Sequence, residues 1–362
     1  GYYMTMSPLI AEGKVMVGVS GGEFGIRGFV AAFDANSGEP AWKTYTIPGP
    51  GEPGNETWPG DTWKHGGVPV WLTGNYDPTT KIAYWGTGNG GPWIGATRAG
   101  DNLHATSVIA LNVVRGKMEA HYQYHWNDSW DWDEVSPPLL IDVERQGKTI
   151  KALVHAGRNG YLWLLDRAAG SIRFVEAQPF VRQNVFTSID AKTGRPTYDQ
   201  SKVPVLGKQV DFCPSLWGGK NWPPSSYSPK TGLLYIPANE NLCSAISASP
   251  ASYRPGELYM GATLADLKVY PHSQAVDHIG ELQAWDLATG ERKWTAKFPQ
   301  QLWGPVLSTA GGLVFAGGTN DRFFRAFDAS SGEILWQQRT NSGVTGVPTS
   351  FAVDGVQYIA VQ

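Results

Sequence analysis

The residue types best able to do chemistry are densest in one short segment, residues 127–134, with the sequence NDSWDWDE. A run of acids usually lies on a solvated surface, but here the acids alternate with two tryptophans, which carry large apolar area and tend to be buried. A carboxylate held against aromatic walls loses its hydration unless something pairs with it, and a metal ion is a common partner. The segment therefore predicts a pocket in which Asp131 and Asp133 face a cation and an organic cofactor.

Several glycine-rich segments place single polar or aromatic residues where a flat ligand could approach the backbone. They are 20–28 (SGGEFGIRG), 65–71 (HGGVPVW), 86–93 (GTGNGGPW), 157–160 (GRNG) and 218–224 (GGKNWPP). Glycine has no Cβ, so a planar cofactor can lie close to its backbone. Acid and amide oxygens, as in Glu23 and Asn89, are the donors that a hard cation prefers. Taken alone, Glu23 also fits a surface acid and Asn89 a simple turn residue.

The composition favours many short strands joined by tight turns. The 362 residues include 44 glycines, 25 prolines and 16 tryptophans, and only 17% are charged. The net charge of −3 and the lack of a Lys/Arg cluster give no nucleic-acid footprint. No apolar run approaches the length of a membrane span. An all-β fold with a small-molecule site is therefore expected.

An internal repeat organises the chain. The pattern Ala-aromatic-Asp-x-x-Ser/Thr-Gly-Glu-x-x-Trp occurs at 32–42, 284–294 and 326–336, with looser copies at 110–116, 165–170 and 189–194. In each copy the Asp side chain can cap a hairpin turn, the Gly can take positive φ, and the closing Trp can pack against the neighbouring repeat. Strand-like runs, predicted as inner strands of four-stranded blades, lie at 14–19, 82–86, 152–155, 233–237 and 312–317.

Radial blades explain both the turn density and the repeats, so a β-propeller is predicted, with a β-sandwich as the alternative. We expect residues 1–362 to form a single, incomplete propeller domain. Insertions around 45–65, 88–105 and 245–275 supply long loops on which function tends to lie. The start, GYYM, and the end, YIAVQ, both indicate a cut chain. We expect a fragment or a processed piece of a longer protein.

The two cysteines, Cys213 and Cys243, lie thirty residues apart. An even count is compatible with one disulfide, and two buried free thiols are the alternative. Neither cysteine begins a Cys-x-x-Cys-His segment, so the chain has no haem attachment site of that type.

The repeats and glycine-rich motifs together resemble the quinoprotein alcohol dehydrogenases. The resemblance covers nearly the whole chain from about residue 4, and the repeat is similar to the family's tryptophan-docking motif. It implies an all-β, eight-bladed β-propeller that holds pyrroloquinoline quinone (PQQ) and a metal ion on its axis. The resemblance further implies that the family's first blades, with their vicinal cysteine pair, and its C-terminal closing segment lie outside this sequence, so a partial ring is expected. The resemblance also implies that Cys213 and Cys243 form a disulfide.

The resemblance assigns roles residue by residue. Asp131 is the catalytic base, and Arg158 lies beside the reactive quinone carbonyl. The implied metal ligands are Glu23, Asn89, Asp131 and Asp133. The implied cofactor contacts are Thr5, Ser20, Gly21, Gly22, Trp71 (the floor beneath the quinone), Arg158, Asn221 and Trp303. Lys220 and Trp222 are expected at packing or rim positions, and Asp128 and Glu134 at the surface or behind the site.

Asp133 is the informative departure from the calcium-type members, which carry a small or neutral residue there. Lanthanide-dependent alcohol dehydrogenases carry a second aspartate at this position, as this chain does. A trivalent ion gains more from an extra anionic oxygen than a divalent ion already neutralised by Glu23 and Asp131. A lanthanide is therefore predicted, with calcium as the alternative ion. The alternative for Asp133 itself is that it faces solvent.

The resemblance implies PQQ-dependent oxidation of a small primary alcohol to an aldehyde, with the metal as Lewis acid. It also implies a cytochrome c electron acceptor and a periplasmic location, and it allows a homodimer. Two other functions stay open: a non-enzymatic propeller scaffold of the outer-membrane assembly kind, and a PQQ-dependent sugar dehydrogenase. A scaffold has no reason to keep Glu23, Asn89, Asp131, Arg158 and Trp71 together.

Overall fold

The structure is a computed structural model that describes residues 1–145, 147–275 and 277–362. The described elements are short β-strands and single-turn 3-10 helices. In chain order the strands are β1 (Leu9–Ala11), β2 (Lys14–Gly18), β3 (Phe29–Asp34), β4 (Pro40–Tyr45), β5 (Asn75–Asp77), β6 (Ile82–Gly86), β7 (Ser107–Asn112), β8 (Met118–Gln123), β9 (Leu139–Arg145), β10 (Lys148–Ala156), β11 (Tyr161–Asp166), β12 (Arg173–Pro179), β13 (Phe186–Ile189), β14 (Pro196–Tyr198), β15 (Gln209–Phe212), β16 (Ser226–Ser228), β17 (Leu233–Asn239), β18 (Leu242–Ser247), β19 (Lys268–Pro271), β20 (Gly280–Asp286), β21 (Glu291–Phe298), β22 (Val306–Ser308), β23 (Leu313–Ala316), β24 (Phe323–Asp328), β25 (Ile334–Arg339), β26 (Thr349–Val353) and β27 (Val356–Ala360). The 3-10 helices are Gly22–Phe24, Asn55–Thr57, Thr62–Lys64, Gly95–Thr97, Ala168–Gly170, Gln200–Lys202 and Leu264–Asp266.

Antiparallel four-stranded sheets form the frame of the described chain. Their strand orders are β1-β2-β3-β4, β5-β6-β7-β8, β9-β10-β11-β12, β16-β17-β20-β21 and β22-β23-β24-β25. Smaller sheets pair β13 with β14, β18 with β15 and β19, and β26 with β27. The strands predicted from the runs at 14–19, 82–86, 152–155, 233–237 and 312–317 are all second strands of four-stranded sheets, which confirms that prediction.

Buried clusters lie between successive sheets rather than between two sheets only. Each cluster draws from both sheets of a pair: Met16 with Trp85, Tyr84 with Trp163, Val154 with Ile236, and Tyr235 with Phe327. A sandwich has one such interface, whereas radial blades have one between every two neighbours. The packing therefore confirms the all-β propeller prediction and excludes the sandwich.

The repeats form the predicted turns. In the first copy, Oδ1 of Asp34 accepts hydrogen bonds from the backbone N–H groups of Asn36 and Ser37, each at 3.0 Å. Gly38 follows with φ 75°, a conformation that a side chain would disfavour. The closing Trp42 then reaches the next sheet, where its indole N–H donates to the carbonyl of Val113 at 2.8 Å. Local turn chemistry and contact between sheets thus come from one eleven-residue motif.

In two of the three strong copies of the repeat, the closing tryptophan packs against the neighbouring repeat as predicted. Trp42 lies against Gly116, and Trp294 lies against Gly332 while its indole donates to the carbonyl of Ala329 at 3.1 Å. Trp336 differs, because 49% of it is exposed. The β26-β27 hairpin that follows it does not cover this ring in the described chain.

Cys213 and Cys243 form a disulfide that joins the end of β15 to β18, which confirms the expected pairing. The bond joins the excursion that follows β12 to the insertion between β17 and β20. No helix in the described ranges is both long and apolar enough to span a membrane.

Candidate functional site

The predicted site residues come from loops at one face of the propeller. Glu23, Asn89 and Arg158 lie in connections between the second and third strands of their sheets, and Trp71 and Asp131 lie in connections from one sheet to the next. In an up-and-down sheet these two kinds of connection emerge at the same end, because strand direction alternates. Residues more than a hundred positions apart are thereby brought to one place.

A cavity of about 280 Å³ opens among these loops. Its lining residues are Tyr3, Thr5, Ser20, Gly21, Gly22, Glu23, Pro69, Trp71, Asp131, Asp133 and Arg158. All predicted site residues therefore line the cavity except Asn89, Asn221 and Trp303. The combination of one aromatic face, hydroxyls, glycines and acids suits a flat, polar ligand.

The glycine segment forms one wall of the cavity. Gly21 has φ 111°, and a Cβ on Gly22 would lie 3.3 Å from Oδ1 of Asn89. Larger residues would therefore strain the turn and crowd the amide. Beside this wall the hydroxyls of Thr5 and Ser20 are 2.7 Å apart, and the Thr5 hydroxyl donates to the carbonyl of Trp71 at 3.0 Å.

Arg158 holds the backbone of the segment that contains Asp131. Its Nη1 donates to the carbonyl of Asp131 at 2.7 Å and lies 3.6 Å from that residue's Oδ2. Its Nη2 lies 4.0 Å from Oδ2 of Asp133. Asp131 itself has φ 62°, a left-handed conformation that Asp tolerates better than most residues. One guanidinium is thus shared between two carboxylates.

Burial raises the pKa of all three acids in the cavity. For Asp131 the pKa lies well above the ordinary value, because burial and then the Asp133 charge outweigh the opposing charge of Arg158. Burial also raises the pKa of Asp133, against the Arg158 charge and the hydrogen bond from Trp71. The pKa of Glu23 is raised by burial and next by Asp133. When ionised, the three acids would carry more negative charge than the one cation, Arg158, offsets.

The donor set fits a bound cation. Oδ1 of Asn89 is buried, and within the described residues it has no hydrogen-bond partner. An unpaired buried oxygen is costly unless a ligand uses it, and hard cations bind such amide oxygens together with carboxylates. In the same ranges no three acidic, His or Cys side chains are close enough to form a metal cluster unaided. A cation here would draw on Asn89 and on ligand oxygens as well as on the acids.

Asp133 does not face solvent, which rules out that alternative for it. It is only 6% exposed, its Oδ1 accepts a hydrogen bond from the backbone N–H of Asn89 at 3.0 Å, and its Oδ2 accepts one from the indole of Trp71. The second aspartate is therefore built into the cavity wall, between the amide and the aromatic floor.

Asn221 and Trp303 lie apart from the cavity. Asn221 is behind Arg158, whose Nη2 donates to its Oδ1 at 3.4 Å. Trp303 lines a different cavity, of about 500 Å³, and packs edge-on against Trp217 with ring centroids 5.6 Å apart. Trp303 therefore does not line the cavity that Trp71 and Asp131 share.

Lys220 was expected at a packing or a rim position. It is a packing residue, because its side chain is buried. Its Nζ donates to Oγ of Ser136 at 2.6 Å and to the carbonyl of Asn221 at 2.9 Å. Burial lowers the pKa of Lys220 to about 7, with Glu134 acting in the opposite direction. Trp222 is half-buried and lines a neighbouring apolar cavity together with Trp71.

Asp128 and Glu134 are both fully buried, so the surface alternative was wrong for both. Oε2 of Glu134 accepts hydrogen bonds from Nε2 of His155 at 2.6 Å and from the backbone N–H of Arg158 at 3.1 Å. Oδ1 of Asp128 lies 3.1 Å from Nε2 of His125. The alternation of acids with tryptophans was the signal for this burial; Asp133 is buried as well, and Asp131 is half-buried.

Comparison with known proteins places these features in one family. The model of the PQQ-dependent glucose/ethanol/alcohol dehydrogenase β-propeller domain matches residues 1–197 and 295–359. The quinoprotein alcohol dehydrogenase PedH of Pseudomonas putida is 37% identical, over 100% of this chain and 63% of its own length. The lanthanide-dependent methanol dehydrogenase of Methylacidiphilum fumariolicum is 38% identical, over 100% of this chain and 62% of its own.

A solved structure, described as a europium-containing methanol dehydrogenase, superposes with a TM-score of 0.92 at 37% identity, over 99% of this chain and 65% of that one. The chain thus spans less than two thirds of the length of the relatives that it matches.

Proposed function

Since the chain belongs to the family of PQQ-dependent glucose, ethanol and alcohol dehydrogenases with a β-propeller domain, we propose that the protein oxidises a primary alcohol to an aldehyde in the cavity between Trp71 and Asp131. Names of the similar proteins, an alcohol and a methanol dehydrogenase, support an alcohol over a sugar as substrate. The observation that carries the proposal is the half-buried Asp131 carboxylate, 3.6 Å from Arg158 in a cavity with an aromatic floor.

The chain's own residues supply binding and proton transfer. Bound PQQ, with its metal ion, would accept the two electrons that leave the alcohol carbon as hydride. Trp71 offers a flat face for stacking, and the hydroxyls of Thr5 and Ser20 offer hydrogen bonds to ligand carboxylates. Asp131 takes the proton of the alcohol hydroxyl as a general base. A nearby cation and Arg158 favour the ionised form that this task requires.

The ligands proposed for the metal are Glu23, Asn89, Asp131 and Asp133. Three ionised acids beside one guanidinium would leave an excess of negative charge, which a trivalent ion offsets better than a divalent one. The likeness to a lanthanide-dependent methanol dehydrogenase supports the same choice. We therefore propose a lanthanide as the working ion, with calcium as the competing one.

The electron acceptor proposed is a cytochrome c, and the proposed location is the periplasm. Among the similar proteins is subunit 1 of the methanol dehydrogenase [cytochrome c] of Methylorubrum extorquens, which is 34% identical. The Cys213–Cys243 disulfide supports an oxidising compartment, since such bonds are rare in the cytosol. A homodimer is proposed as the assembly to be tested by measuring the mass of the protein in solution.

The test uses the full-length protein reconstituted with PQQ and either La³⁺ or Ca²⁺. Dye-linked oxidation of methanol, ethanol and longer alcohols is expected, and Asp131→Asn should lower kcat by about 10²-fold or more while PQQ stays bound. Asp142→Asn, at an exposed position in β9, is the control and should keep wild-type activity. An Asp131→Asn variant with unchanged kcat would remove Asp131 as the base. A purified protein without a quinone absorbance band would favour the scaffold function instead.

A further inference from the structure

Arg98 is a fully buried cation that lies outside the cavity. It follows the 3-10 helix Gly95–Thr97 in the connection between β6 and β7. Within the described ranges it forms no ion pair with a carboxylate. Burying a guanidinium without such a partner is costly, so its remaining contacts must offset a large desolvation penalty. These contacts indicate what the residue is for.

The guanidinium donates to backbone carbonyls from two separate segments. Nε donates to Pro92 at 2.8 Å, and Nη2 donates to Trp93 at 3.1 Å and to Gly90 at 3.4 Å. These carbonyls follow Asn89 in the same loop. Nη2 also donates to the carbonyl of Asp128, three residues before Asp131. One side chain therefore joins the loop of the amide ligand to the segment of the aspartates.

Further bonds close the same junction. Nδ2 of Asn127 donates to the carbonyl of Arg98 at 3.1 Å, and Oγ of Ser129 accepts from the backbone N–H of Gly95 at 2.8 Å. Gly90 leaves room for the guanidinium, because a Cβ there would lie 2.4 Å from Cζ of Arg98. The two segments are thus matched in shape as well as in hydrogen bonding.

Arginine is the residue type suited to this junction. Its planar fork presents five donors in fixed directions, whereas the ammonium of lysine is a single point with three. Burial lowers the pKa of Arg98 to about 10, with the charge of Asp128 opposing the shift, so the group is charged at neutral pH. A lysine at this position presents one nitrogen in place of the separate Nε and Nη2 donors, so it could not keep the bond to Pro92 together with those to Trp93 and Asp128.

We propose that Arg98 is a positioning residue that sets the distance between Asn89 and Asp131, and through it the affinity of the site for its metal ion. The inference rests on the proposed function, because it presumes that these two residues bind the same ion. Neither Arg98 nor its carbonyl partners touch the cavity, so the effect passes through the backbone of the two loops.

The test is Arg98→Lys in the full-length protein, with La³⁺ and Ca²⁺ as the probes. Replacing a residue that orients metal ligands typically weakens metal binding by about 10- to 100-fold, and that range is expected for the dissociation constant of La³⁺. The rise in Tm on adding La³⁺ should shrink accordingly, since that rise reports the binding free energy. Arg115→Lys, on an exposed side chain paired with Glu119 at 2.9 Å, is the control and should bind as the wild type does.

A purely structural role predicts a different result. Arg98→Lys would then lower the Tm of metal-free and La³⁺-loaded protein equally and leave the dissociation constant unchanged, which would overturn the inference. If Arg98→Lys fails to fold, Ser129→Ala removes one bond of the same junction, and severalfold weaker La³⁺ binding is expected; unchanged binding would again overturn it. A wild-type protein that binds neither ion would overturn the metal site itself, and the inference with it.

Discussion

The indole N–H of Trp71 donates a hydrogen bond to Oδ2 of Asp133, while the backbone N–H of Asn89 donates to the other carboxylate oxygen at 3.0 Å. The aromatic floor, the second aspartate and the amide loop are therefore linked directly. The remaining lone pairs of Asp133 can still face a cation in the cavity. A change at Asp133 should be felt both in metal binding and in the placement of Trp71.

Asp133→Ala should shift metal preference from lanthanide towards calcium. The variant removes one anionic oxygen donor, and a trivalent ion loses more electrostatic energy from that removal than a divalent ion does. Competition of La³⁺ and Ca²⁺ for full-length protein measures the ratio of the two dissociation constants. A variant that keeps the wild-type preference would show that Asp133 does not select the metal.

Trp71→Phe should weaken La³⁺ binding less than Asp133→Ala does, and it should keep part of the stacking surface. The ring remains, but Asp133 loses one of its hydrogen bonds, and the loss of a bond to a charged group costs about 1.5–3 kcal/mol. Trp303→Phe, in a different cavity, is the matched control and should leave La³⁺ binding unchanged. If both variants weaken La³⁺ binding equally, the loss comes from general packing and not from the Trp71–Asp133 hydrogen bond.

Glu134→Gln should lower both stability and kcat. Oε2 accepts from Nε2 of His155 and from the backbone N–H of Arg158, while Oε1 accepts from the backbone N–H of Asn159 at 3.2 Å, and an amide can replace only one of these two oxygens as an acceptor. A buried donor left unpaired costs about 1–3 kcal/mol of unfolding free energy. Chemical denaturation and the dye-linked assay measure the two effects. Glu144→Gln, at an exposed position in β9, should change stability by no more than about 0.5 kcal/mol.

Gly116→Ala should destabilise the protein more than Gly38→Ala, although both glycines end equivalent turns with φ near 70–75°. The left-handed conformation costs an alanine roughly 1–2 kcal/mol at either position. A Cβ on Gly116 would also lie 2.6 Å from the ring of Trp42, whereas a Cβ on Gly38 meets nothing within 4 Å. Overpacking of that kind adds about 1–3 kcal/mol. If the two variants lose the same stability in thermal denaturation, the ring of Trp42 moves aside for the added methyl group without loss of packing energy.

Lys220→Met should flatten the rise of stability with pH above neutrality. Burial lowers the pKa of Lys220 in the folded protein to about 7 from the ordinary 10.5, so between these values the unfolded chain binds a proton that the folded protein does not. The unfolding free energy then rises with pH over this window, by at most about 1.4 kcal/mol per pH unit for one proton. Glu134 and Arg158 are the charges that act on Lys220, with opposite signs.

Urea unfolding measured at several values between pH 7 and 9.5 gives that slope. Lys148→Met, at an exposed position in β10, is the control and should keep the wild-type slope. A slope that Lys220→Met leaves unchanged would show that Lys220 titrates in the same way in the folded and unfolded states.

The sequence by itself determined the propeller and most of the cavity. The turn around Asp34 and Gly38 depends on residues adjacent in the chain, so the eleven-residue pattern predicts it without knowledge of the rest. The repetition of that pattern with closing tryptophans then predicts how one sheet contacts the next. Motif likeness located Glu23, Asp131 and Arg158, because these residues lie in loops whose local sequence is distinctive.

Only the tertiary structure decided which side chains meet and which charges are buried. Arg98, Lys220 and Glu134 belong to residue types that are usually exposed, and each is buried here because carbonyls, hydroxyls or imidazoles from distant segments surround it. Trp303 lines a different cavity from Trp71 and Asp131, and its local sequence does not predict this. No pattern within one segment carries such information, since burial is a property of the neighbours that the fold supplies.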